Sequence, residues 1–198
     1  SLGYYAFYDC KALRSIDIPA STYKLSWYCF YNCISLTDVI LPNSIKTIGD
    51  MCFSRCEKLS KIDLPDSITV IGQDTFSYSG LTEISIPNAV TEIGSSVFSR
   101  CENLEKIEFG ANVKTIGSSA FAYCTKLSSV TIPASVREIG NYAFQHSAVS
   151  EVVIEYGVQR LGTWVFFDCD NLTSITLPNS VYEIGDEVFG YCDALTKV

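Results

Sequence analysis

The sequence is poor in the residues that chemistry usually requires. It holds one histidine among 198 residues, so a Cys–His or Ser–His arrangement would have to be built around His146 alone. It contains no G-x-S-x-G, no P-loop, no paired dinucleotide glycine motif and no C-x-x-C pair. Those absences remove the common signatures of hydrolase, nucleotide and zinc chemistry. No catalytic, metal or cofactor-binding residue is therefore assigned, no cofactor is expected, and an enzyme is the least favoured class. No apolar run approaches the roughly 20 residues that span a bilayer, so direct membrane insertion is not expected. Charge is also scarce, at 18% of residues, and Lys and Arg number 14 against 22 Asp and Glu. A net charge of -8 without clustered bases argues against a nucleic-acid partner, whose phosphates such bases hold.

What the sequence has is a period. Phe7, Phe30, Phe53, Phe76, Phe98, Phe121, Phe144, Phe166 and Phe189 recur at intervals of 22 or 23 residues. Around each the unit reads L-x-x-I-x-I-P-x-S-V-x-x-I-G-x-x-A-F-x-x-C, most cleanly from Leu127 to Phe144. The segment Leu59-x-x-Ile62-x-Leu64 alternates with period two, the signature of a strand with one buried face. A single such coil cannot cover its own apolar stripe, so coils must stack into a continuous core with a parallel sheet. The prolines at 19, 42, 65, 87, 133 and 178 end the strands. The glycines at 49, 72, 94, 117, 140, 162 and 185 suit tight reversals where a side chain would obstruct the backbone. Two coils, those of Phe76 and Phe144, are one residue short just after the anchor, where Ser79 and Ser147 replace the usual Cys. No linker or compositional shift interrupts residues 1–198, which read as one domain.

This unit resembles the BspA-like leucine-rich repeats of bacterial and protozoan surface proteins, and the resemblance covers essentially the whole chain. It implies a right-handed leucine-rich repeat solenoid with its parallel β-sheet on the concave face. Short turns or 3-10 segments would form the convex side of about eight coils. It also implies export to the cell surface and adhesion to host proteins or other cells. Both ends fall inside coils, so the chain is expected to be a fragment of a longer array, with any targeting segment outside it.

Seven of the nine cysteines sit three residues after the anchor, and Cys29 and Cys52 sit just before it. Buried thiols acting as small hydrophobes are the simplest reading. Outward positions form columns at about 4.8 Å per coil, a ladder of roughly 40 Å. On the strand face Asp17, Asp38, Asp63, Glu83, Glu108 and Glu151, relieved by Lys61 and Lys106, form an acidic stripe that could dock a basic segment or simply pair across strands. Two residues after the anchor, Arg55, Tyr78, Arg100, Tyr123 and His146 read as a cation–aromatic stacking ladder. After the glycine, aromatics recur as Tyr4 and Trp27, Tyr5 and Tyr28, and later Tyr142 and Trp164. The candidate partner-binding residues are thus Tyr4, Trp27, Tyr28, Asp38, Asp63, Glu83 and Glu108, with Tyr4, Trp27 and Tyr28 the candidate hot spot. The leading reading is a non-catalytic binding module for a host matrix protein or another cell-surface protein. A rigid spacer and a carbohydrate-binding surface that uses Trp27 and Trp164 are the alternatives.

Overall fold

The computed structural model describes residues 1–198 as a parallel β-solenoid of short strands and turns, without any helix. Two strand columns run along it. The first consists of β1 (Ser15–Asp17), β3 (Asp38–Ile40), β6 (Glu83–Ser85), β8 (Lys106–Glu108), β10 (Ser129–Ile132) and β12 (Glu151–Ile154). The second consists of two-residue strands: β2 (Lys24–Leu25), β4 (Thr47–Ile48), β5 (Val70–Ile71), β7 (Glu92–Ile93), β9 (Thr115–Ile116), β11 (Glu138–Ile139), β13 (Arg160–Leu161) and β14 (Glu183–Ile184). All pairings are parallel and in phase, as in Ser15↔Asp38 and Glu138↔Thr115. The second column breaks once, between β5 and β7, at the shortened coil of Phe76.

The core is the anchor column. Phe30, Phe53, Phe76, Phe98, Phe121, Phe144 and Phe166 are fully buried. With Phe7 and Phe189 they form one parallel stack, centroids 5.0 to 5.8 Å apart and planes within 14°. The coil spacing sets that separation, which suits offset rings and avoids a face-to-face sandwich. Leu, Ile and Val of the strands pack around the stack.

Only 13 of 104 backbone hydrogen bonds lie within strands, so the turns carry most of the stacking. The turn around each Phe is a plain series of turns, where 3-10 segments had been one of the two expected forms. In it the N–H groups at the anchor and two residues either side donate to the next coil, as Ser119, Phe121 and Tyr123 do to Asn141, Ala143 and Gln145. The flanking residues adopt left-handed backbone. All eighteen non-glycine residues with positive φ, between 46° and 61°, fall two before or two after an anchor. None is β-branched, the class that this conformation penalises most.

The column glycines adopt no left-handed backbone, but the expected obstruction of a side chain there holds at every one of them except Gly94. Gly157, outside that column, has the only positive glycine φ. The column glycines instead let coils approach: a Cβ on Gly140 would lie 2.7 Å from the Ser118 nitrogen, and one on Gly117 2.7 Å from the Gly94 carbonyl carbon. Gly49 makes room for a side chain, since its Cβ would lie 2.7 Å from Trp27 Cδ1.

The cysteines sit in the core, apart from exposed Cys10. From Cys33 onward each column thiol donates to the carbonyl of the preceding coil's anchor, for example Cys101 to Phe76 at 3.1 Å and Cys169 to Phe144 at 3.1 Å. Burial pushes Cys33 up to about 11 and Cys101 and Cys169 up to about 12. In the unfolded chain these thiols ionise near 8.5. Their stabilising protonation is thus intact below that value and is lost as pH climbs toward 11–12, because the unfolded state sheds protons first. Titration with an aromatic disulfide at pH 8 should find one fast thiol, Cys10, and the rest only after unfolding. The urea midpoint should fall as pH rises above about 9, which urea titrations at pH 8 and pH 10 would check.

Candidate binding surfaces

The strand face has the expected columns, but Asp63, Glu83 and Glu108 are engaged by Lys61 and Lys106, while Asp17, Asp38 and Glu151 join no ion pair. Lys61 lies 3.8 Å from Asp63 and 3.5 Å from Glu83, and Lys106 lies 2.6 Å from Glu108. Glu108 also accepts from Ser85 at 2.9 Å, and Lys106 with Ser85 holds its carboxyl below the usual carboxylate range. Along one register the sequence is Asp38, Lys61, Glu83, Lys106, alternating in sign, with Glu83 directly opposite Lys106. Opposite charges on adjacent strands support the sheet itself. Of the four acidic candidates only Asp38 has no cation, its carboxylate accepting from Thr37 at 2.6 Å. Exposed Ile40 and Val153 stand on this face too.

The column two residues after the anchor forms the anticipated ladder. Arg55 lies 4.6 Å over the Tyr78 ring, Arg100 lies 4.0 Å over Tyr123, and Tyr123 stacks on His146 at 4.6 Å. His146 Nδ1 then meets Asp168 Oδ2 at 2.5 Å. That pair is two-thirds of a hydrolytic triad, yet the adjacent Ser147 hydroxyl is buried and donates to the Phe144 carbonyl at 2.6 Å. The ladder's faces are filled by its own members, so its contribution is to stack the coils, on the order of 0.5–1 kcal/mol per exposed contact.

The aromatic candidates fall into two groups in the first two coils. Tyr4 meets Trp27 edge-on at 5.6 Å, and Tyr5 stacks on Tyr28 at 5.1 Å. Tyr8 stacks on Tyr31 at 5.2 Å, and Tyr28 tilts toward Tyr31 at 5.4 Å. The predicted trio is thus divided: Tyr4 and Trp27 form one pair, and Tyr28 belongs with Tyr5, Tyr8 and Tyr31 to a four-ring group. Sequence reading missed Tyr8 and Tyr31 as members, although their 23-residue spacing one place after the anchor was a usable signal. Tyr4, Tyr5, Tyr8 and Trp27 are exposed, whereas Tyr28 and Tyr31 are half-buried. Trp27 keeps 49% exposure although coils lie on both sides of it. Trp164 differs: Tyr142 and Phe167 close on it at 4.9 and 5.6 Å, and its indole Nε1 is buried without an acceptor.

Six copies of the BspA type leucine rich repeat region match residues 1–127 and 91–198, which together span the chain. The chain belongs to the BspA-type leucine-rich repeat family. Solved structures agree. A leucine-rich repeat protein from Bacteroides ovatus is 25% identical with a TM-score of 0.72, covering 99% of this chain and 69% of its own. The T. pallidum leucine-rich repeat protein is 31% identical at a TM-score of 0.64, covering 92% of this chain and 78% of its own. The pneumococcal vaccine antigen PcpA, 21% identical at 0.56 over 91% of this chain and 49% of its own, shares the fold. No curated protein matches the chain.

Proposed function

We propose that this BspA-type array is a non-catalytic protein-binding module of a cell-surface or secreted protein, with its contact centred on the aromatic cluster of the first two coils. The observation that carries the reading is Trp27, half exposed between two coils and held edge-on by Tyr4. Rings immobilised against one another lose little entropy on binding, and Trp and Tyr dominate interface hot spots. The strand-face acids are secondary, because Asp63, Glu83 and Glu108 are engaged by lysines within the chain. A protein ligand suits the cluster better than a sugar, since Tyr5–Tyr28 and Tyr8–Tyr31 turn ring faces toward each other. The partner is a host matrix protein or another cell-surface protein.

Surface plasmon resonance against matrix and surface proteins tests this. Trp27→Ala should weaken saturable binding at least about 30-fold, the ~2 kcal/mol scale of a hot-spot truncation. Glu83→Gln should change it less than about threefold, as expected for an exposed charge. Equal effects of the two substitutions would displace the contact from the aromatic cluster. Absence of binding across the panel would favour a rigid spacer.

A further inference from the structure

The two shortened coils change the surface in the same way. In an ordinary coil the N–H of the leucine six places after the anchor returns to its own cysteine carbonyl, as Leu59 does to Cys56. In the shortened coils Gly80 and Ala148 donate instead to the preceding coil, to the carbonyls of Cys56 and Cys124. The turn is drawn back so closely that a Cβ on Gly80 would lie 2.2 Å from the Glu57 carbonyl oxygen. Each retreat leaves a notch in the row of turns, one of about 200 Å³ over Ser79 and Gly80 and one of about 340 Å³ over Ser147 and Ala148.

The coil after each notch carries an acid followed by asparagine, Glu102-Asn103 and Asp170-Asn171, and no other coil has that pair. Glu57 forms the opposite wall of the first notch and Thr125 that of the second. None of Glu57, Glu102 and Asp170 joins an ion pair, unlike Asp63, Glu83 and Glu108 of the strand face, which lysines engage. The cations and rings nearest the notches are engaged: Arg100 lies over Tyr123, Lys126 donates to Asn103 at 2.9 Å, and His146 is held between Tyr123 and Asp168.

We infer that the notches at Ser79–Gly80 and Ser147–Ala148 are paired sockets for two basic side chains of one extended polypeptide segment, a refinement that rests on the protein-binding reading. The spacing selects the partner. Three coils at about 4.8 Å place the notches roughly 14 Å apart. Residues i and i+4 of an extended chain are also separated by roughly 14 Å and share one face, whereas i and i+3 point to opposite faces. The ligand is therefore a segment with Lys or Arg at i and i+4, crossing the turns parallel to the solenoid axis. The chain's net charge of -8 favours its approach.

Calorimetric titration of the full chain at low ionic strength with two synthetic peptides of equal charge, their lysines at i,i+4 or at i,i+3, tests this. The i,i+4 peptide should bind at least tenfold tighter. Inserting one Glu between Ser79 and Gly80, which restores the 23-residue coil, should abolish that preference, and so should the pair Glu102→Gln and Asp170→Asn, which leaves the backbone intact. Equal affinities, or a preference that survives the filled notch in a variant with an unchanged urea midpoint, would overturn the sockets. Trp27→Ala should retain the peptide preference. Failure of the aromatic contact and failure of the sockets are thus separable.

Discussion

Phe121→Ala is expected to cost about 4 kcal/mol in urea unfolding, within the 3–5 kcal/mol of a buried phenylalanine truncation. Phe121 stacks between Phe98 at 5.3 Å and Phe144 at 5.2 Å, and Phe109 meets its edge at 5.9 Å. Its removal opens a cavity and also cuts the ring column near its middle. The array's stability is a sum over coils and their interfaces, so a broken interface should uncouple the two sides. The two tryptophans report them separately, Trp27 in the coil of Phe30 and Trp164 in that of Phe166. In the parent both fluorescence transitions should coincide. In Phe121→Ala they should separate, with a smaller denaturant slope for each because each exposes less surface. Phe189→Ala, which removes a partly buried ring with one stacking neighbour, should cost less than half as much and leave the transitions together. Coincident transitions in Phe121→Ala would mean that the turns and strands couple the coils without the ring stack.

The solenoid was legible because its phase is written nine times: alternation marks the strand, proline its end, and phenylalanine the core. The left-handed turns were not legible. Single-sequence rules look for glycine or asparagine at positive φ, yet here Met51, Arg55, Tyr142 and Trp164 hold it. Their N–H groups are donors to the next coil, to Gln73, Ser77, Thr163 and Asp186, and the hydrogen bonds of the stack offset the local strain. Columns of outward side chains could be listed from the sequence, but pairing within a column depends on register and reach. The sequence therefore left open whether Asp63 and Glu108 dock a partner or pair across strands, and each in fact meets a lysine two residues before it in its own coil. The side-by-side placement of the rings was legible because Tyr and Trp recur at the same phase in adjacent coils, which sets them next to one another at the coil spacing.

Gly140→Ala is expected to destabilise by about 3 kcal/mol, the overpacking scale for a site whose neighbours cannot give way. The added methyl would fall 2.7 Å from the Ser118 nitrogen and 2.9 Å from the Gly117 carbonyl carbon, both backbone atoms of the preceding coil. Relief requires the two coils to move apart, which stretches the bond from the Gly140 N–H to the Ile116 carbonyl, now 2.7 Å, and weakens the β9–β11 pairing. Gly94→Ala is the control at the same phase. There the nearest atoms, Val97 Cγ2 at 3.5 Å and the Ile71 oxygen at 3.6 Å, make ordinary contact, because the coil before Gly94 is unpaired to it along this column. Its methyl fits without a clash and restricts the unfolded chain, so Gly94→Ala should be neutral or should stabilise by about 0.4–1 kcal/mol. Both glycines occupy one slot of one repeat, and a consensus view assigns them one role. Opposite signs in urea unfolding would show that close approach between coils governs this column. Equal losses would show that the backbone at this phase requires glycine for its own conformation.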